Sequence, residues 1–309
     1  MRVAIVGAGA IGGYFGAQLI KAGHSVNFVT RGVTADSLKM NGLELQTDAG
    51  VERLDSRDFK VTNVEDYDSQ SAEEIVFVCV KTYSNDSIVH SLERLVGSDT
   101  WVITLQNGLQ PVADLKKLGI PGKIIQGIAY IEATQTSPGV YLQEGEVARI
   151  VYGADEPSLN IALTQLKSLF SGSSVEFNHA INIVQESWKK FTFIASVAGI
   201  TACTRKRLST LLSDRSWQAI MESVVTEITH LADISGGDGG AIRREVLKFI
   251  NENQQDIVAS MHTDVSAGRP LELEALTGKV CSLGRSFGVD TPLNKVIYGA
   301  LEPFKYGTS

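Results

Sequence analysis

Val3-Ala4-Ile5-Val6-Gly7-Ala8-Gly9-Ala10-Ile11-Gly12-Gly13 decides how this chain folds. A short β-branched run feeds the spacing G-x-G-x-x-G, and Tyr14 to Ala22 then reads as a helix that stops at Gly23. Each glycine has a physical reason to be there. Gly7 makes a tight turn, Gly9 lets backbone approach a pyrophosphate, and Gly12 lets the helix lie close on the strand. The N–H groups at the helix start would face phosphate, helped by the helix dipole. A second strand follows at Ser25 to Val29. Gly7, Ala8, Gly9, Ala10, Ile11 and Gly12 are therefore the expected dinucleotide contacts, the alternative being a strand–helix turn that merely needs glycine.

The rest of the composition is that of an ordinary soluble globular protein. The chain has 309 residues, 43% hydrophobic and 20% charged, enough for two domains with large cores. A net charge of −7 argues against a nucleic-acid partner. Cys79, Cys203 and Cys281 form no metal-binding spacing, and Cys79 lies in an apolar run, so reduced thiols in the cytoplasm are expected and no metal. The apolar stretch from Ala4 to Ile20 is broken by glycines, Tyr14 and Gln18, unlike the centre of a secretion signal, and no membrane association is expected.

The residue after the second strand selects the cofactor. No carboxylate occurs between His24 and Asp36, and Arg31 is the first charged side chain. A ribose 2′-hydroxyl calls for Asp or Glu there and a 2′-phosphate for Arg, so NADP (as NADPH) is expected over NAD, unless Arg31 is a solvated loop residue. Leu43 to Leu54 reads as a hairpin or edge excursion, and Glu74 to Val80 as a central parallel strand. Helix Ser84–Leu95, strand Trp101–Leu105, a helix to Lys117 and strand Lys123–Gly127 follow. β-like pieces at Ala129–Thr136 and Val140–Tyr152, a helix Glu156–Phe170 and a last strand Ser174–Phe177 complete this half. Arg31, Lys81 and Asn107 join the glycine turn at strand carboxyl ends, where doubly wound sheets collect ligands. Beyond Asn178 only helices are expected: Ile181–Ala198, Ser216–Ile234, Ala241–His262, Glu272–Phe287 and Leu293–Phe304. The expected architecture is α/β: a Rossmann-type doubly wound sheet over residues 1–178, then an all-α substrate domain over 179–309, with a cleft between them.

Reduction of a carbonyl needs an acid near the oxygen that gains charge. Trp188-Lys189-Lys190-Phe191 places two lysines in an otherwise apolar helix, and a partly desolvated lysine can have its pKa lowered into the working range. The alternative is a lysine with its head in water.

Several motifs occur in order along the chain: the glycine turn, Arg31, Val80-Lys81-Thr82, Gln106-Asn107-Gly108, Glu186-Ser187-Trp188-Lys189-Lys190 and Pro270-Leu271-Glu272-Leu273-Glu274, ahead of Phe287 to Pro292. Together they resemble the ketopantoate reductase (2-dehydropantoate 2-reductase) family over essentially the whole chain. That resemblance implies NADPH-dependent reduction of 2-dehydropantoate to pantoate. It implies Lys190 as the catalytic acid and Asn107 beside nicotinamide and substrate. It further implies Lys81 and Ala133 as cofactor contacts, Ser260 as a substrate contact, and Glu272 as a functional carboxylate serving lysine, cofactor or substrate.

One departure bears on the substrate. The family pattern K-x-x-x-N-x-x-x-N has its asparagines replaced by Ile194 and Ala198, which share the helix face of Lys190. An asparagine expected shortly before Ser260 is also missing from Asp256-Ile257-Val258-Ala259. The small-molecule partner is then a 2-oxo acid, with 2-dehydropantoate first and a less polar oxo acid or related carbonyl as the alternative. A non-catalytic NADPH sensor is the third reading, and a homodimer is left open.

Overall fold

The computed structural model describes residues 1–63, 72–253, 257 and 259–307. Contacts divide them into two compact units, Met1–Gln106 with Gln110–Ile183, and Asn107–Leu109 with Val184–Ser309. The first unit thus runs past residue 178, because the strand carrying Asn178 continues to His179.

Strand β1 (Arg2–Val6) has Val3 to Val6 fully buried, as a strand covered on both faces must. Helix α1 (Ala10–Lys21) starts directly after Gly9, earlier than the expected Tyr14. Its first two turns hold Gly12, Gly13 and Gly16 because close packing there outweighs helix propensity. A methyl on Gly16 would overlap the Phe28 ring. Gly23, at φ +84°, ends the turn that leads into β2 (Ser25–Thr30). Helix α2 (Gly32–Asn41) follows, and only Ala35 and Leu38 of it are buried, so its apolar signal is weak.

β3 (Leu43–Thr47) and β4 (Gly50–Leu54) form the expected antiparallel hairpin. It is not a detached excursion: β3 pairs in parallel with β9 (Val140–Gly153). β5 (Lys60–Asn63), unexpected from sequence, extends the sheet beside β2. β6 (Ile75–Val78), α3 (Asn85–Leu95), β7 (Trp101–Thr104) and α4 (Pro111–Lys117) alternate as parallel-sheet units. The pieces expected at Lys123–Gly127 and Ala129–Thr136 are one strand of 15 residues, β8 (Lys123–Ser137), which turns at Gly139 into the antiparallel β9. Among the described residues the sheet order is β4-β3-β9-β8-β7-β6-β1-β2-β5, with the short strand β10 (Glu176–His179) on β9. Helix α5 (Pro157–Ala162) is shorter than expected and continues as a tighter three-residue-per-turn helix, Leu163–Leu166. The buried leucines 163, 166 and 169 recur every third residue, a period that this tighter helix keeps on one side.

In the second unit α6 (Ile183–Thr204) is the long helix expected from sequence. α7 (Leu208–Leu212), α8 (Arg215–Ile234), α9 (Gly239–Asn253), α10 (Ser260–Ser266), α11 (Thr277–Phe287) and α12 (Pro292–Leu301) follow. Asp214 caps α8 by accepting the backbone N–H of Ser216 at 2.7 Å. The Glu227 carboxylate of α8 accepts the N–H groups of Leu293 and Asn294 at 2.9 and 3.1 Å, so it caps α12 from a neighbouring helix. Two helix expectations need correction. Ala241–His262 is not one helix, since α9 ends at Asn253 and α10 starts afresh at Ser260; Asp256 and Val258 lie outside the described residues. Glu272 precedes α11, which begins at Thr277, rather than opening it. Among the described residues no helix is long and apolar enough to cross a membrane, and no cluster of side chains could hold a metal.

Candidate active site

The glycine turn follows β1 in the first unit. Gly7, at φ +96°, lies against the backbone after β6, where an added Cβ would come within 2.7 Å of Val80 Cγ1 and 3.0 Å of Val80 N. A Cβ on Gly12 would overlap the Gly7 carbonyl oxygen, so turn and helix close on each other with no room for a side chain. Gly9 is different. It is exposed, and nothing lies within 4 Å of the point where its Cβ would be. The turn therefore opens onto free space at the residue that caps α1, whose first-turn N–H groups have no acceptor within the helix. A diphosphate fits such a cradle, and a side chain would fill it.

Arg31 is exposed and occupies the extended position that caps α2, directly after β2. Lys81 follows β6 and caps the short turn Thr82–Ser84. These two and the glycine turn are thus gathered at carboxyl ends of neighbouring parallel strands. Ala133 sits on the β8–β9 hairpin opposite Gln143. Gln106, which enters the sequence pattern only as part of Gln106-Asn107-Gly108 and with no role of its own, ties two strand ends together. Its Nε2 donates to the Val80 carbonyl at 3.0 Å and to Asn85 Oδ1 at 2.7 Å, while its Oε1 accepts from Thr104 Oγ1 at 3.1 Å. Its place beside Asn107 was the available signal. Asn107 itself belongs by its contacts with the second unit. There Gly108, at φ +109°, approaches the Ala275 carbonyl, and Leu109 packs on the helical core.

In the second unit the two lysines of α6 have different surroundings. Lys189 pairs with Glu186 at 3.1 Å and Glu245 at 3.4 Å. Lys190 is partly exposed as a residue, but burial around its ammonium pushes its pKa down from 10.5 to about 8, against the opposing attraction of Glu272. Glu272 is itself 5% exposed. An ammonium with a pKa near 8 is mostly protonated at neutral pH and still gives up its proton readily, which suits a general acid. Ile194 and Ala198 follow one and two turns along the same helix face; Ala198 is fully buried and Ile194 packs partly on the helical core. Ser260 is exposed at the first residue of α10, and His262 on that helix has its pKa lowered by burial and then by the charges of Arg205 and Arg207. Arg205, at φ +57°, donates to the Ala202 carbonyl at 2.6 Å and stacks over Phe304, in the short link from α6 to Arg207, which caps α7.

Comparison with known proteins places the chain in a family. The family described as ketopantoate reductase PanE/ApbA matches residues 3–157, and its C-terminal counterpart matches residues 182–305. An uncharacterized oxidoreductase, YkpB, from Bacillus subtilis (strain 168) is 22% identical, covering 99% of each chain. A 2-dehydropantoate 2-reductase from Pyrococcus horikoshii is 24% identical over 98% of this chain and 97% of that one. Among solved structures, a D-mandelate dehydrogenase in ternary complex with NADH and anilino(oxo)acetate superposes with a TM-score of 0.89. It shares 19% identity and covers 99% of this chain and 98% of that one, a likeness of fold. With both halves matched in order along one chain, the protein belongs to the ketopantoate reductase family of oxidoreductases.

Proposed function

We propose that this protein reduces a 2-oxo acid with NADPH, with Lys190 as the general acid and 2-dehydropantoate as the first substrate to test. Residues 1–178 serve as the NADP-binding domain and 179–309 as the substrate domain. The N–H groups of the Gly7–Gly12 turn hold the diphosphate, with Ala8, Ala10 and Ile11 alongside, and Arg31 meets the 2′-phosphate. Lys81 and Ala133 are further cofactor contacts. When bound, the nicotinamide supplies a hydride to the carbonyl carbon. Asn107 and Ser260 orient the oxo acid, and Lys190 gives its Nζ proton to the carbonyl oxygen as charge develops there. Glu272 favours the charged form of Lys190 and so keeps the acid loaded. A reducing cytoplasm fits Cys79, Cys203 and Cys281, all free thiols.

The observation that carries this reading is the lowered pKa of Lys190 beside a buried Glu272, because a surface lysine has neither feature. A second reading rests on Ile194 and Ala198. Apolar side chains on the Lys190 face of α6 cannot hydrogen-bond a substrate hydroxyl, and a site that makes such a bond discriminates by a factor on the order of 10⁴. A less polar oxo acid would then be preferred. NADPH oxidation over a panel of 2-oxo acids, with NADH in parallel, tests both. A kcat/KM above about 10⁴ M⁻¹s⁻¹ for ketopantoate supports the first reading, and a less polar acid outrunning it supports the second. Binding of NADPH with no acid accelerating its oxidation would refute both and leave a sensor. Equal use of NADH would remove the role given to Arg31.

A further inference from the structure

Tyr141, on the strand β9, is not part of any glycine motif, yet it reaches the glycine turn across 133 residues of chain. Its hydroxyl donates to the Ala8 carbonyl at 2.8 Å, and the whole side chain is fully buried. Its ring fills the space beside Gly13: a Cβ there would overlap three of the ring carbons. Gly13 is thus glycine because Tyr141 lies on it, which the spacing G-x-G-x-x-G does not explain.

The bond matters because of the peptide it holds. In a trans peptide the carbonyl and the following N–H point in opposite directions. Fixing the Ala8 carbonyl toward the buried phenol therefore turns the Gly9 N–H the other way. Gly9 is exposed and opens onto free space on the side chain's side. Glycine also has the loosest backbone of any residue, so the sequence of the turn does not itself fix this peptide plane. An outside group has to do so. The hairpin that carries Tyr141 is well braced for the purpose: β9 pairs with β8 at Gln135 and with β3 at Leu45. Gln135 Nε2 also donates to Thr34 Oγ1 on α2, and Ser37 Oγ donates to the Pro138 carbonyl at the hairpin turn. Burial raises the pKa of the phenol above its ordinary value, so it stays protonated and remains a donor at any working pH.

We infer that Tyr141 is a positioning residue for cofactor binding: through the Ala8 carbonyl it sets the Gly9 N–H toward the diphosphate of the dinucleotide. This rests on the dinucleotide reading of the turn. The long β8–β9 hairpin thereby gains a role, bringing a hydrogen-bond donor to the far side of the cofactor turn.

The test compares two ligands on the full chain by calorimetry. NADP⁺ carries both the diphosphate and the 2′-phosphate, whereas adenosine 2′-monophosphate carries no diphosphate. Tyr141→Phe keeps the ring and removes the donor. It is expected to weaken NADP⁺ about tenfold, equivalent to about 1.4 kcal/mol, and to leave adenosine 2′-monophosphate within about twofold. KM for NADPH should rise correspondingly, with kcat at saturating NADPH nearly unchanged. Gly13→Ala is the second variant, since its methyl would push the ring off the turn while keeping the hydroxyl, and the same selective loss is expected. Should Tyr141→Phe fail to fold, the comparison is made on Gly13→Ala alone. Equal weakening of both ligands would mark Tyr141 as a general support and overturn the inference, as would unchanged NADP⁺ affinity in either folded variant. Failure of the unmodified protein to bind NADP⁺ would overturn the dinucleotide reading as well, which separates the two failures.

Discussion

Replacing Glu272 by Gln should move the alkaline limb of the pH profile in a calculable direction. Lys190 titrates near 8 instead of 10.5 because burial, which disfavours the ammonium, outweighs the attraction of Glu272, which favours it. The net displacement corresponds to about 3 kcal/mol. A general acid works only while protonated, so kcat/KM in the unmodified enzyme should fall as the pH rises through about 8. In Glu272→Gln the burial remains and the opposing attraction is gone, so the pKa of Lys190 drops further. If the carboxylate contributes on the order of 1.4 kcal/mol, the limb moves down by about one pH unit. The variant would then be slower by about twofold near pH 7 and by about tenfold near pH 9, relative to the parent at the same pH. The assay is the initial rate of NADPH oxidation at subsaturating oxo acid across the pH range, with binding of NADPH measured separately. A limb that stays in place, or moves upward, would refute the electrostatic role of Glu272. A uniform loss at every pH would instead point to contact with cofactor or substrate.

Three further outcomes follow from the geometry. Arg31→Ala should lower kcat/KM for NADPH by about tenfold or more while leaving NADH little changed, since only the 2′-phosphate loses its charged partner. Gly12→Ala should unfold at a clearly lower temperature, with a loss of about 1–3 kcal/mol or more, because its methyl would meet the Gly7 carbonyl; an unchanged melting curve would contradict the close packing described. Ile194→Asn should raise the ratio of kcat/KM for ketopantoate to that for an oxo acid without the hydroxyl, and an unchanged ratio would remove this position from the substrate pocket.

Legibility in the sequence varied with the kind of signal. β1, the glycine turn, β6 and α6 were legible because continuous burial writes continuous apolar runs and because glycines mark close backbone approach. α2 and β5 were not, since α2 buries only two residues and β5 is a four-residue edge strand with one exposed and three half-buried positions. The single strand β8 looks like two pieces in the sequence because its outer half alternates in burial, the pattern of a hairpin with one face open. Lys190 was legible as an oddity inside an apolar helix, but its sorting from Lys189 needed the ion pairs of Lys189 with Glu186 and Glu245. The tethering roles of Gln106 and Tyr141 are not legible in the sequence, for a shared reason. Both act through the backbone of a distant strand end, and no local spacing announces a hydrogen bond to Val80 or Ala8.

Lys190→Met tests directly whether Lys190 delivers the proton, by comparing NADPH binding with turnover in the same preparation. NADPH is expected to bind within about twofold of the parent while the rate with the best oxo acid falls by about 10² to 10⁴. A variant that keeps its rate would contradict the general-acid role, because no proton would then pass through Nζ of Lys190.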